Sequence, residues 1–501
     1  MSLGARTLRS SLIVTATSFA IRGVNVISIM VLARLLFPAD FGTIALALVV
    51  VQVTQLFSTV GMGSAVIASR EEPASTAFHA FVVNLALGLP LFAAAALLAH
   101  PLADLLGADG GGSVFRWMSL VILVNTLAVV PDALLIKHSQ FGRRAAAQFA
   151  EAGTQFAVSI ILAAIGMGVF SLVAGHIAGA SVGLIVRAAL TPRIGWLRPR
   201  PWDRPQARSL LRFGGTAMST GIVRHVYSSG DNVFIGRLFG ASALGYYSQA
   251  YNLTNISVQS VSQVVNTVLL PVYAEARDDA QRVADGFVRV FQVVGLVTVP
   301  LGVGFVVLAP EAIVLLLGER WLPSTVLLQI LAVMTVVRPL SGTTSPLFLG
   351  INRPELNLQT AIVQAVLLVP LAFAMLPLGT PGIAVAVAAT FTLGLIYNLC
   401  VVALRTEVPV DFRRLLLGLL TILLVGSLMG GIVLLAKLML VNVGVSASHP
   451  GTLLALVGIG SIAYLLGVRT FAPSLSRELL VLVRAVRQGH GRPPSAATGT
   501  S

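Results

Sequence analysis

Arg22, Arg224 and Arg338 each stand near the middle of an apolar run long enough to be buried in lipid. A guanidinium at that depth is expensive, and it persists where it faces protein or a wet cavity. Its planar fork of N–H donors matches phosphate oxygens two at a time. Thr15, Ser18 and Asn25 recur around Arg22 at helical spacing and share its face. Tyr227 and Asp231 repeat that spacing from Arg224, with His225 beside them. Gln52 and Gln55 follow in the next apolar run. Asn252, Asn255, Gln259, Ser262 and Asn266 form the longest polar stripe in the chain. Few acids accompany the three arginines, so the set reads as the lining of a cavity built for an anion. Structural roles compete with that reading. Amide stripes in membrane helices often hydrogen-bond neighbouring helices, and Arg224 and Asp231, two turns apart, are spaced for an ion pair. Arg34 and Arg237 lie at run ends, where snorkelling anchors are expected. Asp132 is expected to pair with Lys137 or Arg143.

The elements that position these residues are long and apolar. Hydrophobic residues make up 56% of the chain and charged ones 10%, and mean hydropathy is +0.91. A soluble helical protein would need about a quarter of its residues charged. About fourteen runs reach the roughly 20 residues that a helix needs to cross hydrocarbon. They fall near 12–33, 42–68, 77–99, 114–136, 147–167 and 169–191, then 212–236, 243–271, 287–317, 324–350, 358–377 and 381–404, and lastly 414–440 and 451–470. Arg22 would interrupt the apolar core of a signal peptide, so the first run reads as a retained span. The lone Cys400 excludes an internal disulfide framework.

The formal net charge of +14 is accounted for by topology. With the N-terminus cytoplasmic, the loops holding Arg70, Arg143, Arg144, Arg198, Arg200, Arg204, Arg208, Arg353, Arg405 and Arg413 are all inside, whereas Arg34, Arg116, Arg237, Arg320 and Lys437 mark the other side. That is the lysine and arginine bias of cytoplasmic loops. Both termini are then cytoplasmic, and no nucleic-acid partner is needed.

A repeat organises the whole. The stretch Leu8–Ala47 returns as Leu211–Ala250, with Leu8, Arg9, Thr17, Arg34, Leu35, Gly42 and Ala47 falling on Leu211, Arg212, Thr220, Arg237, Leu238, Gly245 and Ala250. The expected architecture is an all-α membrane protein of two parallel six-helix bundles and two further C-terminal helices. Residues 1–191 form the first bundle, 192–211 a cytoplasmic linker with a short interfacial helix from about Arg204, and 212–404 the second bundle. Residues 405–487 hold the two extra helices and a basic tail, and 488–501 a disordered end.

Motifs for chemistry are absent. Lys137 and Lys437 are the only lysines, so no phosphate-binding GxxxxGK[ST] loop exists. There is no metal-spaced Cys/His cluster and no GxSxG elbow. The chain is not expected to be an enzyme, and no cofactor is expected beyond a coupling proton or sodium ion, for which Asp231 is the candidate.

The run Leu32-Ala33-Arg34-Leu35-Leu36-Phe37-Pro38-Ala39-Asp40-Phe41-Gly42 resembles the first helical hairpin of bacterial polysaccharide transporters. These are the lipid-linked oligosaccharide flippases, colanic-acid exporters among them, of the multidrug/oligosaccharidyl-lipid/polysaccharide superfamily. Asp231-Asn232-Val233-Phe234-Ile235-Gly236-Arg237-Leu238-Phe239-Gly240 and Leu244-Gly245-Tyr246-Tyr247-Ser248-Gln249-Ala250-Tyr251 are similar to that family's seventh and eighth helices. The likeness covers about the first 400 residues and departs where Gly240-Ala241-Ser242 replaces Phe37-Pro38-Ala39. It implies transfer of undecaprenyl-pyrophosphate-linked oligosaccharide across the bacterial inner membrane by alternating access through a cationic central cavity. Arg22, Arg224 and Arg338 would hold the pyrophosphate. The lining residues Ser18, Asn25, Gln52, Gln55, His225, Tyr227, Asn252, Asn255 and Gln259 would meet the glycan. Membrane lipids, a polysaccharide polymerase and chain-length or export proteins are the implied partners. A drug antiporter of the same superfamily would call for a net acidic cavity. A membrane glycan polymerase or ligase would call for catalytic groups on a sizeable outer loop, and the longest here, His100 to Ser113, is short.

Overall fold

Hydrocarbon offers no water to backbone amides, so apolar runs of this length satisfy their hydrogen bonds by coiling. The computed structural model describes residues 3–59, 61–69, 71–192, 195–275, 279–442, 449–471 and 473. Every regular element among them is helical. In chain order these are α1 (Leu3–Leu35), α2 (Pro38–Thr59), α3 (Met62–Ala68), α4 (Pro73–Leu97), α5 (Ala99–Leu106), α6 (Gly112–Lys137), α7 (Phe141–Ala164) and α8 (Val169–Leu190). There follow α9 (Arg204–Glu275), α10 (Ala280–Val307), α11 (Ala309–Leu316), α12 (Ser324–Gly342), α13 (Thr344–Gly350), α14 (Glu355–Met375), α15 (Gly379–Arg405), α16 (Phe412–Asn442) and α17 (Pro450–Phe471). The expected end segment 488–501, and the basic tail leading to it, lie outside the described residues.

Among the described residues, ten helical stretches are long and apolar enough to cross a membrane, and one of them, Glu355–Arg405, contains two of the expected spans. The expected runs 212–236 and 243–271 are helical too, within α9, and 147–167 is helical as far as Ala164, the end of α7. Helix α7 differs in kind, carrying Arg143, Arg144, Glu151 and Gln155 with its apolar residues.

Glycines and prolines set the breaks. Pro38 opens α2, and the Asp40 carboxylate accepts the Phe37 N–H at 2.9 Å, closing the α1–α2 turn as a cap. Gly166 and Gly168, both at positive φ, separate α7 from α8. Within α9 the backbone leaves the helical region at Gly240 (φ 81°, ψ 174°), a conformation open to glycine. The helix that begins at Arg204 is unbroken up to that glycine.

Two compact units are present. The first comprises Met1–Ile256, Ile313–Leu331 and Asn357–Leu393, and the second Ser257–Ala312, Ala332–Leu356 and Gly394–Ser501. In the first unit α6 is the hub, packing on α2, α3, α4, α5 and α8 and burying Phe115, Met118, Ile122 and Leu134. Lipid gives helices no hydrophobic reason to associate, so close packing at small residues does that work. Gly175, Gly179 and Gly183 of α8 accordingly meet Ser159, Gln155 and Glu151 of α7 with no room for a Cβ. In the second unit α10, α16 and α17 bury Leu296, Val299, Ile422, Val425, Met429 and Tyr464 against one another.

The sequence repeat is a physical contact inside the first unit. A Cβ on Gly42 would strike the backbone of Ala241, and one on Gly245 would strike the backbone of Pro38. The repeat shift maps Gly42 onto Gly245 and Pro38 onto Ala241, so each contact is the image of the other. The two Arg-Leu-containing turns thus meet about a local two-fold.

Candidate functional site

Helix α1 presents Ser18, Arg22 and Asn25, each half-buried, on one face in the first unit. The Arg22 guanidinium carbon lies 5.6 Å from the centre of the Phe19 ring, a geometry that shields the cation on one side. Gln55 is half-buried and Gln52 exposed on α2. Asn252 and Asn255 are half-buried on the second limb of α9. All of these belong to the first unit, whereas exposed Gln259 and half-buried Arg338 belong to the second. Arg338 sits in α12 directly before Pro339, where the helix loses a backbone donor. The side chains of Arg224, His225, Tyr227, Ser262 and Asn266 lie outside the described residues, although their backbone is helical.

Asp231 is 3% exposed, and a carboxylate so placed needs strong donors. Tyr247 supplies one: its hydroxyl donates to Asp231 Oδ2 at 2.5 Å, and the Asn232 N–H donates to Oδ1 at 2.9 Å. Tyr247 is itself fully buried. It comes from beyond the Gly240 break, so the bend in α9 is what lets these two side chains meet.

A second group was read in the sequence only as separate charges at run ends, Arg34 and Arg320 among them, and not as one contact. The last carbonyls of a helix have no partner within it, and those at the end of α1 are met in trans by the 3₁₀ turn Glu319–Trp321. The Trp321 indole donates to the Ala33 carbonyl at 2.9 Å, and Arg320 donates to the Leu36 carbonyl at 3.0 Å while lying 4.2 Å over the Phe37 ring. Arg34 returns the contact by donating to the Leu315 carbonyl at 2.8 Å. Phe41 and Tyr246 pack edge-on against Trp321, which is wholly buried. The only sequence signal for the contact was a tryptophan at the polar break between two apolar runs.

The expected partner of Asp132 is corrected. Arg144 and Arg187 hold it at 3.0 and 3.2 Å, and Arg187 also meets Glu151 at 2.6 Å. Lys137 instead donates to the Val66 and Ser69 carbonyls, and Arg143 to the Leu190 carbonyl. The packing of α8 on both α6 and α7 brings Arg187 to the acid, which the chain order alone could not indicate.

The second unit carries a half-open apolar cavity of about 920 Å³ between α10, α16 and α17, walled by Leu296, Pro300, Phe305, Val433, Leu456 and Tyr464. Arg469 stands on its lining near the end of α17. Tyr464 donates its hydroxyl to the Leu296 carbonyl at 2.8 Å, so it faces the cavity with its ring.

Comparison with known proteins places the chain. The succinoglycan biosynthesis transport protein ExoT of Rhizobium meliloti (strain 1021) is 28% identical over 347 residues, 69% of either chain. The lipopolysaccharide biosynthesis protein WzxC of Escherichia coli (strain K12) is 23% identical over 373 residues, 74% of this chain and 75% of that one. Among solved structures, the lipid II flippase MurJ in an inward closed conformation superposes with a TM-score of 0.77 at 15% identity, covering 93% of this chain and 99% of the other. At that identity the likeness establishes the fold, which is all-helical. The sequence profile of the polysaccharide biosynthesis protein family matches residues 31–326, more than half of the chain, so this multi-span membrane protein belongs to that family.

Proposed function

We propose that this protein is a flippase that carries undecaprenyl-pyrophosphate-linked oligosaccharide repeat units from the cytoplasmic to the outer leaflet of a bacterial inner membrane. The observation that carries the reading is Arg22, half-buried within α1 and flanked on its own face by Ser18 and Asn25, in a chain of the polysaccharide biosynthesis protein family. A diphosphate is a compact, multiply charged anion, and its transfer across lipid needs cations that replace water. Arg22, Arg224 and Arg338 supply them. Ser18, Asn25, Gln52, Gln55, His225, Tyr227, Asn252, Asn255 and Gln259 offer donors and acceptors to sugar hydroxyls. The apolar cavity of the second unit suits the hydrocarbon of the lipid anchor, with Arg469 available to a phosphate at its edge.

Both termini lie in the cytoplasm in this reading, because the arginine-rich loops follow the bias of cytoplasmic segments. Alternating access exposes the arginine-bearing faces first to one side and then to the other. Asp231 is the group coupled to a proton or sodium ion, since a buried carboxylate held by a tyrosine hydroxyl can exchange its charge state or counter-ion during the cycle. Polysaccharide polymerase and chain-length or export proteins act next on the product.

Substituting Arg22→Gln, Arg224→Gln or Arg338→Gln tests the clamp. A lost charge-assisted contact is worth ~1.5–3 kcal/mol, so export of surface polysaccharide in a complemented deletion strain falls about tenfold or more at unchanged protein level. Undiminished export in all three variants overturns the assignment.

A further inference from the structure

The strap between α8 and α9 continues into the first turns of α9, and its two sides differ. Gln206, Ala207 and Leu210 are buried, and the last two pack with Trp196 into the core formed with Met62, Val66, Ala77 and Leu134. Asp203 caps the helix start, accepting the Gln206 N–H at 3.3 Å, and its own N–H is held by His79 Nε2 at 2.9 Å. Arg200 is taken up by Glu72 at 2.6 Å. These contacts fix the strap's inner side to α3, α4 and α6.

The outer side carries Arg204, Arg208 and Arg212, four residues apart, which places them in one stripe along α9. All three are exposed, and so is Arg198 upstream. Beside them Leu197 is 58% exposed, Trp202 48% and Leu211 41%. A face that merely solvates a cytoplasmic loop has no use for a half-bare tryptophan and two leucines among arginines. A face that lies in the headgroup region needs that mixture, apolar groups to enter the acyl boundary and cations to meet phosphates. Between residues 195 and 212 the chain has five arginines against a single acid, Asp203, which is occupied by the helix cap.

We infer that the outer side of this strap, Arg198, Trp202, Arg204, Arg208 and Leu211 with Arg212, is a binding surface for anionic phospholipid headgroups of the cytoplasmic leaflet. The inference rests on the membrane orientation proposed above and not on the identity of the cargo. Charge complementarity selects the occupant: basic side chains near an anionic leaflet each gain from its surface potential, and zwitterionic lipid gives no such gain. The strap thereby ties the start of α9 to both α4 and the lipid surface.

Tryptophan quenching reads this directly. The full-length protein and its Trp202→Phe variant are placed in nanodiscs containing dibrominated phosphatidylglycerol or, at equal mole fraction, dibrominated phosphatidylcholine. The difference between the two proteins isolates Trp202 from Trp117, Trp196 and Trp321. The expected result is quenching of Trp202 at least about twofold stronger by the anionic lipid, with the preference removed by Arg204→Gln/Arg208→Gln at unchanged helicity. Equal quenching by both lipids overturns the inference, as does no quenching by either, which would assign the face to water or to an acidic protein. Orientation is read separately, by labelling Ser209→Cys in a Cys400→Ser background with a membrane-impermeant maleimide. Labelling only after permeabilisation is expected. Labelling of intact cells would put the strap on the other leaflet and overturn the assignment to the cytoplasmic one, whatever the lipid preference, while leaving the cargo to the arginine variants.

Discussion

Asp231 and Tyr247 form a short hydrogen bond, and each is buried where an unsatisfied group is penalised. Replacing Tyr247 with Phe removes the hydroxyl and leaves the carboxylate short of a donor. We expect a loss of about 1–3 kcal/mol, seen as a lower midpoint of thermal unfolding in detergent. Asp231→Asn can still accept the Asn232 N–H at its carbonyl and donate its amide N–H to the Tyr247 hydroxyl, so stability should fall less than in the Phe variant while the dependence of transport on an ion gradient disappears. Transport by the Asn variant that still follows the gradient would remove Asp231 from the coupling role. Asp231 was legible as an acid inside an apolar run, but Tyr247 was not. The pair closes across a bend at Gly240, and no helical spacing links positions on opposite sides of such a break. Arg22 was legible for the opposite reason: its companions Ser18 and Asn25 lie on one uninterrupted helix, where spacing alone defines the face.

Among the elements, the end of α1 is held by two devices of different origin. One is the reciprocal seating of Gly42 and Gly245 against the opposite turn. The other is the trans-capping by Arg320 and Trp321. Gly245→Val has no space beside the Pro38 backbone, so the two turns must part. Export in a complemented strain should fall severely, and Gly42→Val should behave alike because the contacts are images of each other. Wild-type export from either variant would contradict the close contact. Trp321→Ala leaves both a cavity and an unmet carbonyl and should cost about 3–5 kcal/mol, whereas Trp321→Phe forfeits mainly the hydrogen bond, ~1 kcal/mol; the two unfolding midpoints separate the contributions. The repeat itself could be read from the order of arginine, leucine and glycine. That its copies touch could not, since similarity between two stretches carries no information about their distance. The capping turn escaped because its partners lie in segments far apart along the chain.

For the whole molecule, hydropathy gave the helical membrane class and the breaks at Gly166–Gly168 and Gly379, because lipid leaves the backbone so few choices. The compact units follow less simply from the chain. Each draws on three separate segments, and a pattern of spans cannot specify which of them pack together. Helix α7 marks another limit of pattern reading: its charges answer to Asp132 and Arg187, so it is polar where a solitary span would be apolar. The proposed transfer of a lipid-linked glycan is a property of the whole molecule and does not depend on any one residue. The most direct measurement is made on spheroplasts of a strain lacking this gene, using a membrane-impermeant sugar-oxidising probe or lectin to locate the lipid-linked repeats. A flippase leaves intact repeats inaccessible on the cytoplasmic side and little surface polysaccharide, and re-expression reverses both. Repeats that reach the outer face but remain unpolymerised would contradict that transfer and point to a polymerase or assembly factor.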